Sequence, residues 1–558
     1  MAAKDYQRIA DAVAADIAAG RLRPGDRLPT QRDFARGRRI ANSTATRVYR
    51  ELARRGLTVG EVGRGTYVRA AQHAPGPALA EPAAPAAGTR VNLELNYPVV
   101  PEQAALLAEG ITPLLRPDAL EAAMGPVGPA GTPAARTAAA ALLDRTGLAA
   151  DPDRILFAGN GRQAVAGTVA ALVPPGGRLG VEAFTYPLVK AIAARIGVTL
   201  VPLATDEYGL RPDAVRAAHR SAPLCAVYLQ PTLHNPLGVT MPAQRRTELT
   251  ETLRELDLWA VEDAIWSFLQ EDVEAGGKAE EGGEGEGGDT HPEVFHAAYG
   301  ADPAGGPGLP FSLPPAGLAG MGATPGIPGA PGMQHAPLMH PAPVSPLAPF
   351  APGVPLSAGL PLPPGVPFPP GLPLLPLAAL APERTFLVDS FSKRLAPGLT
   401  VGLVLAPGPL TDKVAAALRS GGWTAGGFAL EAVTRWLADG TVDRIVRAKR
   451  RDAAVRQARV REHLEGFDVR TDPRSYCAWW QLPDGWRAES FLAAAARRGI
   501  AVTPATAFAV APEGTQAAAP APNAVRLGLA GAPLELLPYA LSTLAAIARG
   551  TPEDALPE

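Results

Sequence analysis

The stretch Val388-Asp-Ser390-Phe-Ser-Lys393-Arg-Leu-Ala-Pro397-Gly398-Leu399 closes an apolar run, TFLVDS, with a serine, a lysine and a Pro-Gly stop. A lysine just beyond a strand end forms an imine with an aldehyde when its amine is partly desolvated, and a serine at Ser390 is placed to donate to a phosphate. The surroundings support a strand there. Between Ile155 and Ala406 the runs ILF, LGVEA, TLVPLA, LCAVYLQ, LWAVEDA, TFLVDS and GLVLA alternate with amphipathic helical stretches. That alternation is the pattern of a mostly parallel α/β sheet covered by helices on both faces. Ligands of such sheets sit beyond the carboxyl ends of the strands. After Gly466, FDVRTD, AWWQLP and AVRLGLA read as strands, with helices around Ala488 to Arg498 and Leu534 to Arg549, giving a small α+β lobe over 466–550.

Two segments interrupt this plan. The composition from Ala70 to Thr89 collapses to Ala, Pro, Gly and His, so 70–90 reads as a linker. From 273 to 381 an acidic Gly-rich part, GGKAEEGGEGEGGD, is followed by an uncharged Pro, Gly, Ala and Leu tract, read as a low-complexity insertion within a domain that runs from 91 to 558. With 558 residues the chain exceeds one ordinary core. MAAKDYQRIADAVAADI has no apolar stretch behind a basic tip, so it is read as neither signal peptide nor membrane anchor, and a cytoplasmic protein is expected. Cys225 and Cys477 supply neither a disulfide framework nor metal-ligand spacing.

The first 69 residues differ from the rest. Between Met1 and Ala70 there are 15 Lys and Arg against 7 Asp and Glu, whereas the whole chain is close to neutral. A local basic excess fits a segment that meets a polyanion. Ile9, Val13 and Ile17 share one helical stripe; Thr30 and Asp33 form a capping box for a second helix; Ala45, Val48, Tyr49 and Leu52 give a third helix starting near Asn42 or Ser43. GEVGRGTYV, Gly60 to Val68, reads as strand, turn and strand. Three helices and a hairpin make a winged helix.

Arg21, Pro24-Gly25, Leu28-Pro29, Gln31-Arg32, Tyr49, Leu52, Gly56-Leu57 and Gly63-Arg64-Gly65-Thr66 occur in an order that resembles the GntR family of winged-helix repressors. The resemblance implies that Arg32, the start of the third helix and the wing tip touch operator DNA. Asn42, Ser43, Thr44, Thr46 and Arg47 are suitable donors there, and Gly63, Arg64 and Gly65 form the wing. The family usually offers an arginine near Asn42, and asparagine pairs well with adenine.

From about Val91 the chain resembles fold-type I aminotransferases, in the version found in MocR and GabR-like regulators. The resemblance implies pyridoxal 5'-phosphate as cofactor, with Lys393 its Schiff-base lysine. Asp263 in VEDA then meets the pyridine nitrogen, Asn235 in QPTLHNPLGV the ring hydroxyl, and Tyr186 in VEAFTYP stacks on the ring. Gly161, Arg162 and Gln163, with Ser390, cradle the phosphate, and Arg526 in AVRLGLA clamps the carboxylate of an amino-acid-like ligand. His234 either faces ligand or packs. Three departures stand out. Trp266 occupies the place of a tyrosine that usually bonds the ring hydroxyl, and Thr400 that of a phosphate-binding arginine; no tyrosine precedes Gly131-Thr-Pro. Arg162 or Arg394 is left to supply the missing charge.

The leading expectation is a homodimeric transcription regulator that binds operator DNA, holds pyridoxal phosphate and senses an amine, an amino acid or the cofactor itself. The rivals are a competent aminotransferase carrying a DNA-binding head and a regulator whose cofactor pocket has decayed.

Overall fold

The computed structural model describes residues 2–18, 21–22, 26–54, 57–61, 65–68, 90–270, 374–512 and 521–551. The expected wing residues Gly63 and Arg64, almost all of the expected linker and most of the expected insertion lie outside them.

The head contains α1 (Ala2–Ala18), α2 (Gln31–Arg38), α3 (Asn42–Arg54), β1 (Thr58–Glu61) and β2 (Gly65–Val68). Thr30 caps α2 as its sequence predicts: its hydroxyl accepts from the Asp33 amide at 3.2 Å and donates to the Asp33 carboxylate at 2.6 Å. Ala45, Val48, Tyr49 and Leu52 form the buried face of α3 and meet Tyr6, Ala10 and Val13 of α1 in one apolar cluster. The stripe on α1 is thus rotated by a residue from the expected Ile9, Val13 and Ile17, with Ile9 and Ile17 flanking it. Phe34 meets Tyr49 edge to face at 5.3 Å, and β1 and β2 pair antiparallel.

Each of the seven apolar runs is a strand of one sheet. They are β3 (Ile155–Ala158), β4 (Arg178–Glu182), β5 (Thr199–Leu203), β6 (Ala226–Leu229), β7 (Trp259–Asp263), β8 (Thr385–Ser390) and β9 (Gly402–Leu405), in the order β3-β9-β8-β7-β6-β4-β5. All neighbours are parallel except β9, which is antiparallel to β8 and β3. Alternate residues feed different cores. Ile155, Phe157, Leu387, Leu403 and Leu405 join one apolar cluster, while Leu156, Ala158, Phe386, Val388 and Val404 join another. Both faces are therefore covered, and only the strand ends are free to carry chemistry.

The small lobe is a four-stranded antiparallel sheet in the order Val469–Thr471, Cys477–Gln481, Ala524–Gly528, Thr503–Pro504, backed by helices Ala488–Arg497 and Leu537–Arg549. Its core also contains Val91 and Leu93, because Val91–Asn92 pairs in parallel with Ile500–Ala501. The lobe therefore draws on residues far ahead of the expected 466–550 segment.

A second boundary also needs correction. The expected insertion reaches 381, yet Leu377–Leu380 is a helical turn with Leu377 and Ala378 buried, and Ala381 is buried beside it. Proline and glycine dominate the sequence up to this point and hide an apolar anchor, whose Ala378 amide donates to Glu262 Oε2 at 3.0 Å. Leu377→Ala should cost about 2–5 kcal/mol in denaturant unfolding of the full chain. A cost below about 0.5 kcal/mol, usual for surface sites, would return this turn to the insertion.

Candidate functional site

The carboxyl ends of the strands converge on one cavity. Asp263 ends β7, Ser390 ends β8, Gly161 follows β3 and Tyr186 follows β4. Lys393, Asp263, Tyr186, Gly161 and Arg162 all line the cavity, joined by Tyr97, Ser392 and Thr400. Burial holds the Lys393 amine well below the ordinary lysine range, and Arg526, Arg162 and Lys449 push it the same way against the pull of Cys477. Lys393 Nζ donates to the Asn96 carbonyl at 2.6 Å and stands 3.6 Å from the centre of the Tyr97 ring.

Asp263 is fixed by three donors. Its Oδ2 accepts from the Tyr228 hydroxyl at 2.5 Å and from Gln230 Nε2 at 2.8 Å, while Oδ1 accepts from the Ile265 amide at 3.1 Å. Burial pushes the carboxyl above its ordinary range, and these bonds pull against that shift.

At the other end, helix Gly161–Leu172 begins against β8. Ser390 Oγ accepts from the Gly161 amide at 3.2 Å and lies 3.1 Å from Ser392 Oγ and 3.0 Å from Thr400 Oγ1. A Cβ at Gly161 would come within 2.9 Å of Ser390 Cβ, so only glycine permits this approach. Arg162 reaches back from the helix start to the Tyr97 hydroxyl at 3.3 Å. The Gln163 amide is taken by the capping Asn160 side chain at 3.0 Å, and Gln163 stands outside the cavity wall.

Asn235 and Arg526 lie behind the wall. Asn235 Oδ1 is 3.9 Å from Cys477 Sγ, which in turn accepts from Asn96 Nδ2 at 3.1 Å. Arg526 is buried in the small-lobe sheet, where Nη2 donates to the Glu94 carbonyl at 2.6 Å and to Thr503 Oγ1 at 3.1 Å; Nε is buried with no hydrogen-bond acceptor among the described residues. His234 packs, with Nε2 3.1 Å from the buried Glu182 carboxylate.

One proposed substitute for the missing arginine is excluded. Arg394 is locked in a buried ion pair with Asp389 at 2.6 Å, lies over Phe268 and does not reach the cavity. Arg162 and Lys393 are the cationic side chains among the lining residues. Trp266 is a core residue, stacked on Phe268 with its ring 5.4 Å from Lys393 Nζ.

Several contributors carried no readable signal. Tyr97 sits in an irregular segment without periodicity, and Cys477 reads as one more apolar strand residue. Lys449 is buried inside the long helix Thr441–His463 and donates to the carbonyls of Lys393 at 2.9 Å and Leu395 at 2.7 Å. Tyr228 and Gln230 were within reach, since they alternate along the run that leads to Asn235.

In the head, Arg32, Asn42, Ser43 and Arg47 are exposed, and Thr44 is half-buried. Thr46 is already bonded to Gln31 Oε1 at 2.8 Å and to the Asn42 carbonyl at 3.0 Å, tying α3 to α2. Gly65 has φ 121° and packs against the Arg27 guanidinium, a conformation other residues rarely adopt.

Residues 5–68 match bacterial regulatory proteins of the gntR family, and residues 121–272 match aminotransferase class I and II. The chain joins a GntR regulatory domain to an aminotransferase domain. The HTH-type transcriptional regulator YdeF of Bacillus subtilis (strain 168) is 29% identical over 269 residues, 47% of this chain and 56% of YdeF. The HTH-type pyridoxine biosynthesis transcriptional regulator PdxR of Corynebacterium glutamicum is 27% identical over 260 residues, 46% of this chain and 55% of PdxR. The chain thus spans little more than half the length of these relatives. Among solved structures, an archaeal alanine:glyoxylate aminotransferase superposes with a TM-score of 0.59 at 18% identity, covering 82% of this chain and 90% of the other. LysN, the α-aminoadipate aminotransferase of Thermus thermophilus complexed with N-(5'-phosphopyridoxyl)-L-leucine, superposes at 0.57 and 18% identity, covering 83% and 92%. These likenesses establish the aminotransferase fold of the body. Among the described residues no helix is long and apolar enough to cross a membrane.

Lys449 gives the site a measurable pH signature. Burial lowers its pKa to about 7 from an ordinary 10.5, against the pull of Asp452. Between those values the unfolded chain binds the proton and the folded chain does not, so this group's contribution to stability rises with pH across that window. The unfolding free energy of wild type minus that of Lys449→Met should climb from pH 7 towards pH 10.5. A pH-independent difference would show that Lys449 titrates as an ordinary lysine.

Proposed function

We propose that the chain is a DNA-binding transcription regulator whose aminotransferase-like body holds pyridoxal phosphate on Lys393 and senses an amine, an amino acid or the cofactor itself. The observation that carries this reading is a lysine amine, its pKa depressed by burial, in a cavity that faces a fixed carboxylate at one end and a helix start at the other. Those donors and acceptors suit the cofactor. The Gly161 helix start, Arg162 and the hydroxyls of Ser390, Ser392 and Thr400 would hold its phosphate, the helix dipole and one cation doing what a second arginine does elsewhere. Asp263 would face the pyridine nitrogen, Tyr186 would cover the ring, and Asn235 would take the ring hydroxyl. When bound, the cofactor supplies an aldehyde and an electron sink.

The chain's own contribution is to prepare these partners. A depressed pKa leaves the Lys393 amine with a free lone pair at lower pH than an ordinary lysine, which makes it a nucleophile. The bonds from Tyr228, Gln230 and Ile265 keep the Asp263 oxygens oriented as acceptors. Trp266, which offers only an N–H, removes an acceptor from beside the cavity. Arg526 would receive the ligand carboxylate through its unpaired Nε, drawing the small lobe inward. The two heads of a homodimer would then be held differently on operator DNA. A clean switch requires the ligand to prefer one arrangement by on the order of 5 kcal/mol.

Titration of the full chain with pyridoxal phosphate should produce a visible absorption band that is absent in Lys393→Ala, and borohydride should fix the adduct on Lys393. No band at saturating cofactor would sink both the sensor reading and the transaminase alternative. Turnover of an amino acid with a 2-oxo acid would favour the transaminase. For the head, Arg47→Ala should weaken operator binding and lower the slope of log affinity against log salt by about 1 if it contacts a phosphate. An unchanged slope would remove Arg47 from the phosphate contacts.

A further inference from the structure

Among the described residues, polar contacts join the head to the small lobe of the same chain, and three of them define the joint. Gln7 Nε2 on α1 donates to the Gly485 carbonyl at 2.8 Å, Arg487 Nη2 donates to Asp11 Oδ2 at 2.5 Å, and Ser490 Oγ donates to Glu51 Oε1 on α3 at 3.5 Å. All three partners fall within 485–490, the corner that opens helix Ala488–Arg497. The apolar cores on either side are separate, one built around Val48, Tyr49 and Leu52 and the other around Trp486 and Phe491. The joint is therefore polar, as in domain pairs that move against each other.

We infer that the 485–490 corner is the seat of the DNA-binding head, and that seating and unseating there is how the body sets the orientation of α3. The inference deepens the regulator reading and rests on it. Position comes first. The seat grips α1 and the carboxyl-terminal half of α3, while Asn42, Ser43 and Arg47 near the other end of α3 stay exposed. A seated head can still meet DNA, so the contact orients rather than occludes.

Strength comes second. The Asp11 and Arg487 side chains are 39% and 37% exposed, which places their pair among the weak, salt-screened kind. A weak contact suffices within one chain, where tethered partners meet at effective concentrations on the order of millimolar. The seat thus combines one exposed ion pair with a long Ser490–Glu51 contact between two buried side chains.

Connection comes third. Helix Ala488–Arg497 runs into Ile500–Ala501, which pairs with Val91–Asn92, and then into Thr503. The Thr503 hydroxyl and the Glu94 carbonyl both accept from Arg526 Nη2. A carboxylate drawn to Arg526 competes for the group that holds Thr503, and from Thr503 the chain leads back through Ile500–Ala501 and helix Ala488–Arg497 to the seat. The bistable element that a coupling claim needs is the seat itself.

The test uses the full chain with Arg487→Glu, Asp11→Arg and the two combined. Each single reversal should speed amide hydrogen exchange in α1 by at least about twofold and shift operator affinity. The double variant, which restores opposite charges, should return both readings towards wild type, and added salt should act on wild type as a single reversal does. Single variants that melt at the wild-type temperature yet leave α1 exchange unchanged would overturn the seat, as would a double variant no closer to wild type than either single. Should the reversals behave as expected while pyridoxal phosphate and an amino-acid panel leave wild-type operator binding unaltered, the sensor reading fails and the seat stands.

Discussion

The hydrogen bond from the Gly161 amide to Ser390 Oγ is the joint on which the candidate site is assembled. It fastens the start of a helix to the end of a strand 229 residues further along the chain. Through the same oxygen, Ser392 and Thr400 are gathered at the helix start. The glycine makes that contact possible, because a methyl group at 161 would collide with Ser390. The lysine follows three residues later, so its placement over the cavity is inherited from this joint. Lys449 secures the other side by holding the Lys393 and Leu395 carbonyls, while the Lys393 amine itself is held by the Asn96 carbonyl.

Electrostatics divides the cavity into two ends. Asp263, restrained by three donors, marks one; Arg162 and the helix start mark the other; the neutralised Asp389–Arg394 pair below contributes little net charge. A ligand with a basic nitrogen at one end and a phosphate at the other matches this polarity. The small lobe adds Arg526, whose guanidinium is partly spent on the protein's own backbone. Those bonds tie the Glu94 carbonyl to Thr503 through one residue.

The sheet was legible because its strands are buried on both faces and therefore appear as bare apolar runs separated by helical patterns. All seven runs became strands, and residues at or just beyond the ends of four of them, ILF, LGVEA, LWAVEDA and TFLVDS, line the cavity. The winged helix was legible for a different reason: its turns demand particular residues, such as the Thr30 cap and the glycine at 65. Contacts between distant segments were not legible. Tyr97, Asn96 and Cys477 come together only in three dimensions, and Leu377 was masked by the proline-rich run before it. Arg394 looked available because its partner Asp389 reads as an ordinary strand residue.

Gln270 and Leu374, the described residues on either side of 271–373, line the same small cavity. The sheet therefore sees only a short gap between two nearby anchors, whatever the length of chain that bridges them. Closure entropy grows logarithmically, by about 0.6 kcal/mol for each doubling of a loop. The stretch between the anchors can thus lengthen, shorten or exchange its composition over evolutionary time almost independently of the catalytic-type scaffold. It makes this point a natural port for grafting a reporter or a second binding module into the chain.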